Sequence, residues 1–165
     1  MRIDIVDPSA YTPPYDRALS AALARAGVDV RLVTSAFDYG DVPAAEGFEV
    51  YEHFYLRQPG RPGSMWRRAA KLAQHVPGML SYRRVSDAAD VVHFQWLSVQ
   101  QIDGRLLPKD KPLVITAHDV LPREPRGGRK SQHAAQRKLY ERADAVVVHS
   151  QHGRARLAEL ASMRP

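Results

Sequence analysis

The chain has 165 residues, of which 44% are hydrophobic and 25% are charged, a composition that suits one globular domain with a sizeable core. It contains no cysteine, which excludes disulfides, thiolate nucleophiles and cysteine-ligated metal sites. No stretch approaches the roughly 20 apolar residues that cross a bilayer, and the amino terminus leads directly into a strand pattern, so we expect a cytoplasmic protein.

The formal net charge of +6 is unevenly distributed along the chain. Residues 1–55 carry four basic and nine acidic side chains, whereas residues 56–86 carry seven basic and no acidic ones. A second basic cluster covers residues 123–142, where seven basic side chains accompany two glutamates. Such polarisation indicates an anionic partner such as phospholipid, nucleic acid or a phosphorylated substrate. A solvated surface explains the same pattern equally well.

The first 35 residues follow a strand, helix, strand pattern. A β-branched run at Ile3–Val6 predicts a strand, and the apolar spacing after Pro13 predicts a helix that stops at Gly27. The alternation from Val28 to Val33 predicts the second strand, so the first unit is a βαβ unit with a parallel strand pair.

A long helix follows an aromatic segment, Phe48–Tyr55, which predicts a third strand near a sheet edge. The helix is expected over residues 64–87, and Pro77-Gly78 should kink or split it. The simpler expectation for its apolar stripe is packing on the sheet, with a polar face made of Arg67, Arg68, Lys71 and His75. The stripe consists of Met65, Ala69, Leu72, Val76, Met79 and Leu80.

The second half of the chain continues the alternation of strands and helices. We expect strands at Asp90–Trp96, Leu113–Thr116 and Ala145–Val148. Three helices are expected with them: one that starts at the capping box Ser98-x-x-Gln101, one over Ser131–Arg142 and one over Gln151–Ser162. This order predicts a single α/β domain over residues 1–165, a Rossmann-like three-layer α/β/α fold with a mostly parallel sheet of about six strands.

Polar side chains follow several of the predicted strands. Ligands of open parallel sheets bind beyond the carboxyl ends of the strands, where histidines suit acid-base work or hydroxyl recognition. The residues that this rule selects are His93, Gln95, Trp96, His118, Asp119, His149 and Ser150.

These candidates also have structural interpretations. Ser150 fits the N-cap of the last helix better than a ligand contact, and His93 and His149 fit core positions satisfied by hydrogen bonds. Trp96 suits packing as well as it suits a platform for a sugar ring. The strongest candidate is His118-Asp119, because it lies at a strand end before a long loop.

Several well-known site motifs are absent from the sequence. It has no G-x-G-x-x-G, P-loop, H-E-x-x-H or G-x-S-x-G motif, and its first glycine is Gly27, far beyond the first βα turn. A dehydrogenase and a P-loop enzyme are therefore disfavoured.

Four segments in order resemble the N-terminal domain of retaining GT-B glycosyltransferases of family 4. They are P-P-Y-D-R-A-L-S-A-A-L-A-R-A-G-V-D-V-R-L-V-T, A-D-V-V-H-F-Q-W, P-L-V-I-T-A-H-D-V-L-P and A-D-A-V-V-V-H-S. The resemblance implies that this domain holds the acceptor of sugar transfer and that a C-terminal domain holds the nucleotide-sugar donor. It implies retention of configuration, no metal requirement and no cofactor bound by this domain.

The resemblance also implies roles for individual residues. His118 would lie beside the transferred sugar, with Asp119 supporting the loop, and His93, His149 and Ser150 would lie at the cleft edge. The acceptor, a sugar, lipid or small molecule, would contact Tyr11, Pro14, Tyr15, Gln95, Trp96, Arg123 and Glu124. An exposed ion pair is the alternative interpretation of Arg123 and Glu124.

The sequence departs from the family in two places. Pro13-Pro14 lies in the first βα loop, where the family often has a glycine pair near the donor phosphates, and no two glutamates have the spacing of eight that is found in the donor domain. We therefore expect a fragment that lacks the C-terminal donor-binding domain and does not transfer sugar at a useful rate alone.

The basic helix suggests a membrane or anion contact as an alternative to packing. Trp66 beside Arg67, Arg68 and Lys71, with Arg83 and Arg84 following, has the composition of an interfacial segment, which suits a protein peripheral on the inner face of an anionic membrane. Two other functions stay open: a basic α/β module that binds phospholipid or nucleic acid, and a GT-B-type sugar-nucleotide epimerase. Nucleic acid is the less favoured partner, because no recognition-helix pattern or aromatic-interleaved basic strand is present.

Overall fold

In the computed structural model, the described residues are 1–57, 59, 61, 63–118 and 129–160. Strands and helices alternate within them as expected from the sequence. In chain order they are β1 (Arg2–Asp7), α1 (Pro13–Arg25), β2 (Asp29–Thr34), β3 (Glu49–Glu52), α2 (Met65–Val85), a 3-10 turn (Ser86–Ala88), β4 (Val91–Phe94), α3 (Gln100–Leu106), β5 (Leu113–Ala117), α4 (Arg129–Arg142), β6 (Ala145–Val148) and α5 (Gln151–Leu160).

The strands form one parallel sheet in the order β3-β2-β1-β4-β5-β6. The chain runs outward from β1 to β3 and returns through α2 to β4, so the strand order reverses between β1 and β4. Val6 pairs with Phe94 at this junction. The predicted α/β fold with a parallel sheet of about six strands is confirmed, and the junction of β1 and β4 is where such sheets bind ligands.

Helices cover both faces of the sheet because neighbouring residues of a strand point to opposite sides. On one face Ile5, Val30 and Leu32 pack with Leu19 and Leu23 of α1. On the other face a larger core contains Val6, Phe94 and Ile115 together with side chains of α2, α4 and α5. These two cores define a three-layer domain.

The ends of two helices test the local predictions. Helix α1 ends at Arg25, and Gly27 follows with φ +86°, a left-handed conformation that glycine adopts without strain. The predicted capping box at Ser98 is wrong, because α3 has Val99 as its N-cap. The Val99 N–H donates to the Asp103 carboxylate instead, at 2.8 Å, and the Ser98 hydroxyl bonds Ser9.

Helix α2 turns the opposite face toward the sheet from the one that its apolar stripe predicted. Met79 is fully buried, but Met65 is 76% exposed and Leu72 is 66% exposed. The buried positions of the helix include Arg67 and His75. The expectation that the stripe packs on the sheet is therefore wrong for most of its members.

The buried face of α2 can be polar because its buried polar side chains have partners on other elements. Arg67 pairs with the Asp38 carboxylate. His75 Nε2 donates to Asp103 Oδ1 at 2.5 Å, and the Tyr55 hydroxyl donates to His75 Nδ1 at 2.7 Å. Tyr82, also buried, donates to the Asp4 carboxylate, which forms a two-pronged pair with Arg31. Buried polar groups with such partners avoid the desolvation penalty that unpaired ones would carry.

Pro77 does not split α2, contrary to one form of the prediction. The helix runs without interruption from Met65 to Val85 with Pro77 inside it. Gly78 packs closely against the Phe54 ring, since a Cβ at this position would lie 3.3 Å from the ring. The helix ends at Val85, where a 3-10 turn takes over, so its predicted end at about residue 87 is nearly right.

Candidate active site

An aromatic and histidine cluster lies at the carboxyl edge of the sheet. Trp96 follows β4, His118 follows β5 and His149 follows β6. The Trp96 and His118 rings are stacked, with centroids 4.5 Å apart and planes 3° apart. His118 Nδ1 and His149 Nε2 are 3.0 Å apart, within hydrogen-bond distance. Three strand ends that are distant in sequence thus meet, as the sequence predicted.

Tyr15 closes one side of this cluster from the start of α1. Its ring meets both imidazoles edge-on, with centroids 5.4 Å from each. The hydrogen bond between the two histidines requires one ring nitrogen to donate and the other to accept, so the tautomers of His118 and His149 are linked. The cluster therefore offers two coupled imidazoles beside the faces of Trp96 and Tyr15, an arrangement suited to hydroxyl recognition and proton transfer.

The loop between β1 and α1 is shaped by the carboxylate of Asp7. This buried side chain accepts backbone N–H groups from Ser9, Tyr11 and Thr12 at 3.2, 2.6 and 3.2 Å. Ala10 within the loop has φ +50°, a conformation uncommon for a residue with a Cβ. Burial raises the pKa of Asp7, and the three N–H bonds oppose that rise. The loop that carries Tyr11 is thus held by a buried carboxylate rather than by glycines.

The pKa of Asp16 is perturbed by burial and by its neighbour Asp7. Burial raises the pKa of Asp16 to about 9, and the Asp7 charge adds to the rise, so Asp16 is protonated at neutral pH. The Thr12 hydroxyl donates toward Asp16 at 3.4 Å and accepts the Trp96 Nε1–H at 2.9 Å. This chain of bonds fixes the Trp96 indole to the β1–α1 loop.

Sequence reasoning missed Asp7, Thr12 and Asp16 as supporting residues. A usable signal was present, because an aspartate ends a buried strand and a Thr-Pro-Pro step opens the helix that carries a second aspartate. The local pattern identifies Asp7 only as a residue at the end of a strand, and it does not indicate that its carboxylate meets Asp16.

His93 and Gln95 lie beneath the cluster rather than at its surface. His93 Nε2 is 2.8 Å from the Thr116 hydroxyl, and the Gln95 amide nitrogen donates to the same Nε2 at 3.2 Å. Burial lowers the pKa of His93 to about 4, with a further contribution from His118, so His93 is neutral at pH 7. The alternative interpretation of His93 as a satisfied core residue is therefore favoured, and Gln95, only 1% exposed, supports His93 instead of facing an acceptor.

The remaining predicted site residues separate into three groups. The Ser150 hydroxyl accepts the Gly153 N–H at 3.0 Å, which confirms its N-cap role in α5. Pro14 and Tyr11 are exposed on the loop and first turn beside the cluster. Asp119, Arg123 and Glu124 lie outside the described residues.

A cationic pocket of about 390 Å³ adjoins the cluster through Tyr11, whose ring centroid is 5.4 Å from that of Trp96. Its walls come from the β1–α1 loop, the segment after β2 and the first half of α2. The lining residues are Ser9, Ala10, Tyr11, Phe37, Tyr39, Gly63, Arg67, Arg68 and Lys71.

The six residues expected at a membrane or anion contact do not share one surface. Arg67, Arg68 and Lys71 line the pocket near Tyr11. Arg83 and Arg84 line a different pocket, of about 430 Å³, near the carboxyl end of α2. Trp66 lines neither pocket and is 74% exposed.

The described part of the chain contains neither a metal-binding cluster nor a membrane-spanning helix. No group of three or more His, Asp or Glu side chains suited to holding a metal ion occurs among residues 1–57, 63–118 and 129–160 and the two isolated described positions. In the same part of the chain, no helix is long and apolar enough to span a membrane.

Comparisons with known proteins agree with this fold. Two structures of sucrose-phosphate synthase from Thermosynechococcus elongatus are similar to the chain, each with 17% sequence identity, a level at which the likeness is one of fold. One has a TM-score of 0.58 over 95% of this chain and 81% of its own. The other has a TM-score of 0.66 over 99% of this chain, which spans 46% of the length of that synthase.

No curated protein sequence matches the chain. The sequence model of Glycosyltransferase Family 4 matches residues 17–165. This match covers α1 from Arg17 onward, all strands after β1 and three residues of the cluster, Trp96, His118 and His149. The chain therefore belongs to Glycosyltransferase Family 4.

Proposed function

We propose that the chain forms the acceptor-side wall of a glycosyltransferase active site that moves a sugar from a nucleotide-sugar donor to an acceptor hydroxyl with retention of configuration. The observation that carries the proposal is the stacked Trp96–His118 pair, bonded to His149, at the carboxyl edge of a parallel sheet. Membership of the family supports the reaction class.

Each member of the cluster has a role in this proposal. His118 hydrogen-bonds a hydroxyl of the reacting sugars, and His149 fixes the tautomer and orientation of His118. The exposed ring faces of Tyr11 and Tyr15 contact the apolar face of the acceptor, as aromatic side chains commonly do with ring substrates. Trp96 holds the imidazole of His118 flat, and the Thr12 hydroxyl holds Trp96.

The donor belongs to a second domain in this proposal. The cationic groups and helix N-termini that would stabilise the departing diphosphate are supplied there, without a metal ion. The chain alone therefore binds acceptor but does not transfer sugar at a useful rate. Product analysis separates transfer from the epimerisation and hydrolysis that the same architecture could perform.

The test of the proposal is a pair of histidine variants in the full-length protein. His118→Ala should lower turnover at least about tenfold, which corresponds to about 1.4 kcal/mol in the barrier, without a change in the unfolding midpoint. His152→Ala is the matched control, because the His152 side chain is exposed on α5 and forms no hydrogen bond, ion pair or ring contact within the described part of the chain. Equal turnover of the two variants would return His118 to a structural role.

A membrane-facing surface is a second component of the proposal, favoured by the orientation of α2. Its exposed apolar side chains, Met65, Trp66, Leu72, Val76 and Leu80, face away from the sheet. Residues 56–86 carry seven cations and no carboxylate; Arg67 is buried against Asp38, and the remaining positive charge of the segment complements an anionic bilayer. We therefore assign this face to the inner surface of an anionic membrane, with Trp66 at the interface.

Vesicle sedimentation tests this surface. The chain should co-sediment with phosphatidylcholine vesicles that contain phosphatidylglycerol, and not with pure phosphatidylcholine vesicles. Leu72→Ser should weaken binding severalfold, whereas Val147→Ser, which changes an exposed apolar residue of β6, should not. A dimer that dissociates in the Leu72→Ser variant, with no vesicle binding, would assign the face to a second copy instead.

A further inference from the structure

We propose that the pocket beside Tyr11 binds a phosphoryl group carried by the acceptor. The inference rests on the proposed glycosyltransferase function, because it names the class of acceptor that the same edge of the sheet would take. A sugar phosphate and the headgroup of a phospholipid share this chemistry.

Unpaired positive charge is the first argument. Of the three cations that line the pocket, Arg67 is buried and pairs with Asp38. Arg68 and Lys71 form no ion pair with any residue in the described part of the chain. The two remaining cations lie on the same side of α2, three residues apart, at the pocket wall. A phosphoryl group would supply the counter-charge that the protein does not.

The surroundings of Lys71 are the second argument. Its Nζ lies 5.2 Å from the centre of the Tyr55 ring. Burial and the neighbouring Arg67 charge lower the pKa of Lys71, so the folded chain carries a partly desolvated ammonium group next to a like charge. The charges of Asp38 and Asp7 oppose this lowering of the Lys71 pKa. An oxyanion in the pocket would offset the repulsion between the Lys71 and Arg67 charges.

The arrangement of the pocket and the cluster gives the orientation of the acceptor. Tyr11 is shared, since it lines the pocket and its ring meets Trp96 at 5.4 Å. The Ser9 hydroxyl lies on the same wall and is fixed by Ser98 at 2.8 Å. An acceptor with its phosphoryl group at Lys71 and its ring on Tyr11 would present a hydroxyl toward His118. The pocket of about 390 Å³ accommodates a group of this size.

The second cationic pocket supplies an internal control. It contains Arg84 and Lys111 together with the carboxylate residues Asp87 and Asp110, and Lys111 already donates to the Asp87 carbonyl. It lies at the carboxyl end of α2 and before β5, at the sheet edge opposite His118. An anion held there could not present a hydroxyl to the histidine cluster.

The test is a titration of the isotopically labelled 165-residue chain, followed by NMR amide shifts. Inorganic phosphate and glucose 6-phosphate should shift the amides of Ser9, Tyr11 and Lys71, and glucose at the same concentration should not. Arg68→Gln and Lys71→Met should each weaken glucose 6-phosphate binding about tenfold, while Arg84→Gln should leave it unchanged. Lys71→Arg should retain most of the affinity, which separates loss of charge from loss of fold.

A second experiment, binding to phosphatidylglycerol vesicles, distinguishes a soluble sugar phosphate from a lipid headgroup as the source of the phosphoryl group. Saturable binding of glucose 6-phosphate assigns a soluble acceptor. Vesicle binding that Lys71→Met weakens, with no response to glucose 6-phosphate, assigns a lipid headgroup. Shifts confined to the Arg84 pocket, equal responses to glucose and glucose 6-phosphate, or no response to any phosphate probe would overturn the proposal.

Kinetics of the full-length protein distinguish this inference from the proposed function. Lys71→Met should raise the KM for a phosphorylated acceptor about tenfold and leave kcat nearly unchanged, because the phosphoryl contact is made equally in the ground state and the transition state. If transfer occurs but Lys71→Met behaves like wild type, the phosphoryl site is wrong and the transferase function stands. If phosphate binds at Lys71 but no sugar is transferred, the transferase function is wrong and the site stands.

Discussion

The indole of Trp96 lies flat on the imidazole of His118, with 4.5 Å between ring centroids and 3° between their planes. Each ring also has a hydrogen-bond partner outside the stack: Thr12 for Trp96 and His149 for His118. The stack joins the ends of β4 and β5 across the carboxyl edge of the sheet. Through these contacts the β1–α1 loop and the ends of β4, β5 and β6 form a single site.

Substitution of Trp96 tests what the stacked pair contributes to activity. In the full-length protein, Trp96→Ala should lower kcat/KM at least about tenfold, because His118 loses the ring that orients it. Trp96→Phe should lose less, since it retains a ring for stacking and lacks only the N–H donated to Thr12. The measurement is steady-state transfer with saturating donor.

Trp66 is the matched control for this prediction, because it is the only other tryptophan in the sequence and is 74% exposed on α2. Trp66→Ala should leave transfer to a soluble acceptor unchanged. Equal losses for the alanine variants at positions 66 and 96 would show that the stack has no special part in the reaction.

The wild-type chain should lose stability as pH rises toward 9, and Asp16→Asn should largely abolish this loss. The pKa of Asp16 is raised by burial to about 9 from an ordinary value of 3.8. Between these values the folded chain binds more protons than the unfolded chain, so stability falls as pH rises through the window. One such group changes the free energy of unfolding by at most about 1.4 kcal/mol per pH unit. The asparagine stays neutral and retains an oxygen for the Thr12 hydroxyl.

Thermal unfolding at pH 6, 7, 8 and 9 checks this prediction. The Tm of the wild-type chain should fall across the series, and the Tm of Asp16→Asn should fall much less. Asp41→Asn, a change of an exposed carboxylate, should follow the wild type. Parallel curves for Asp16→Asn and wild type would mean that the pKa of Asp16 is not raised in the folded chain.

His93 should produce a pH dependence of the opposite sign. Burial lowers the pKa of His93 to about 4 from 6.5. The unfolded chain then binds more protons between those values, so the stability contributed by neutral His93 is present above pH 6.5 and is lost as pH falls toward 4. Asp16 has the opposite slope in that window, so the effect is best measured in the Asp16→Asn background. In that background, the fall of Tm between pH 6.5 and 4 should be smaller for His93→Gln than for its parent, and His152→Gln should leave it unchanged. An equal fall of Tm in His93→Gln and its parent would show that the pKa of His93 is not lowered in the folded chain.

The strand pattern and the site edge could be predicted because each rests on a local or topological rule. Short β-branched runs such as Ala145–Val148 are recognisable as strands from the sequence. The rule for parallel sheets then places Trp96, His118 and His149 at one edge, whatever their separation in the sequence. The face that α2 buries could not be predicted in this way. Helical periodicity records which side chains are apolar, but burial here follows partners on other elements, such as Asp38 for Arg67.

The same limit explains why Asp7 and Asp16 were missed. A single aspartate at a strand end is typical of many loops, and its importance arises only when a second carboxyl folds against it. Capping at Ser98 failed for a related reason, since the S-x-x-Q spacing is satisfied in sequence while the hydroxyl has a better partner in Ser9. Long-range polar pairs are therefore the part of this fold that sequence patterns do not indicate.

The buried chain Tyr55–His75–Asp103 should be the main reason that α2 keeps its polar face inward. His75 and Asp103 are both almost fully buried, and their contact of 2.5 Å joins α2 to α3. His75→Leu would leave the Asp103 carboxylate with the Val99 N–H but without its imidazole partner. Removing one member of a buried pair in this way should lower the free energy of unfolding by about 3 kcal/mol, measured by urea denaturation.

The double variant His75→Leu with Asp103→Val gives the decisive comparison. Because it removes the buried carboxylate together with its partner, it should recover part of the stability lost in His75→Leu, with a coupling energy of about 1–3 kcal/mol. Gln74→Leu is the control on the neighbouring position, where the amide bonds only exposed backbone at Arg57 and its own helix, and it should cost less than about 1 kcal/mol. Additive losses in the double variant would show that His75 and Asp103 contribute independently and that the inward face of α2 is held by Tyr82 and Arg67 instead.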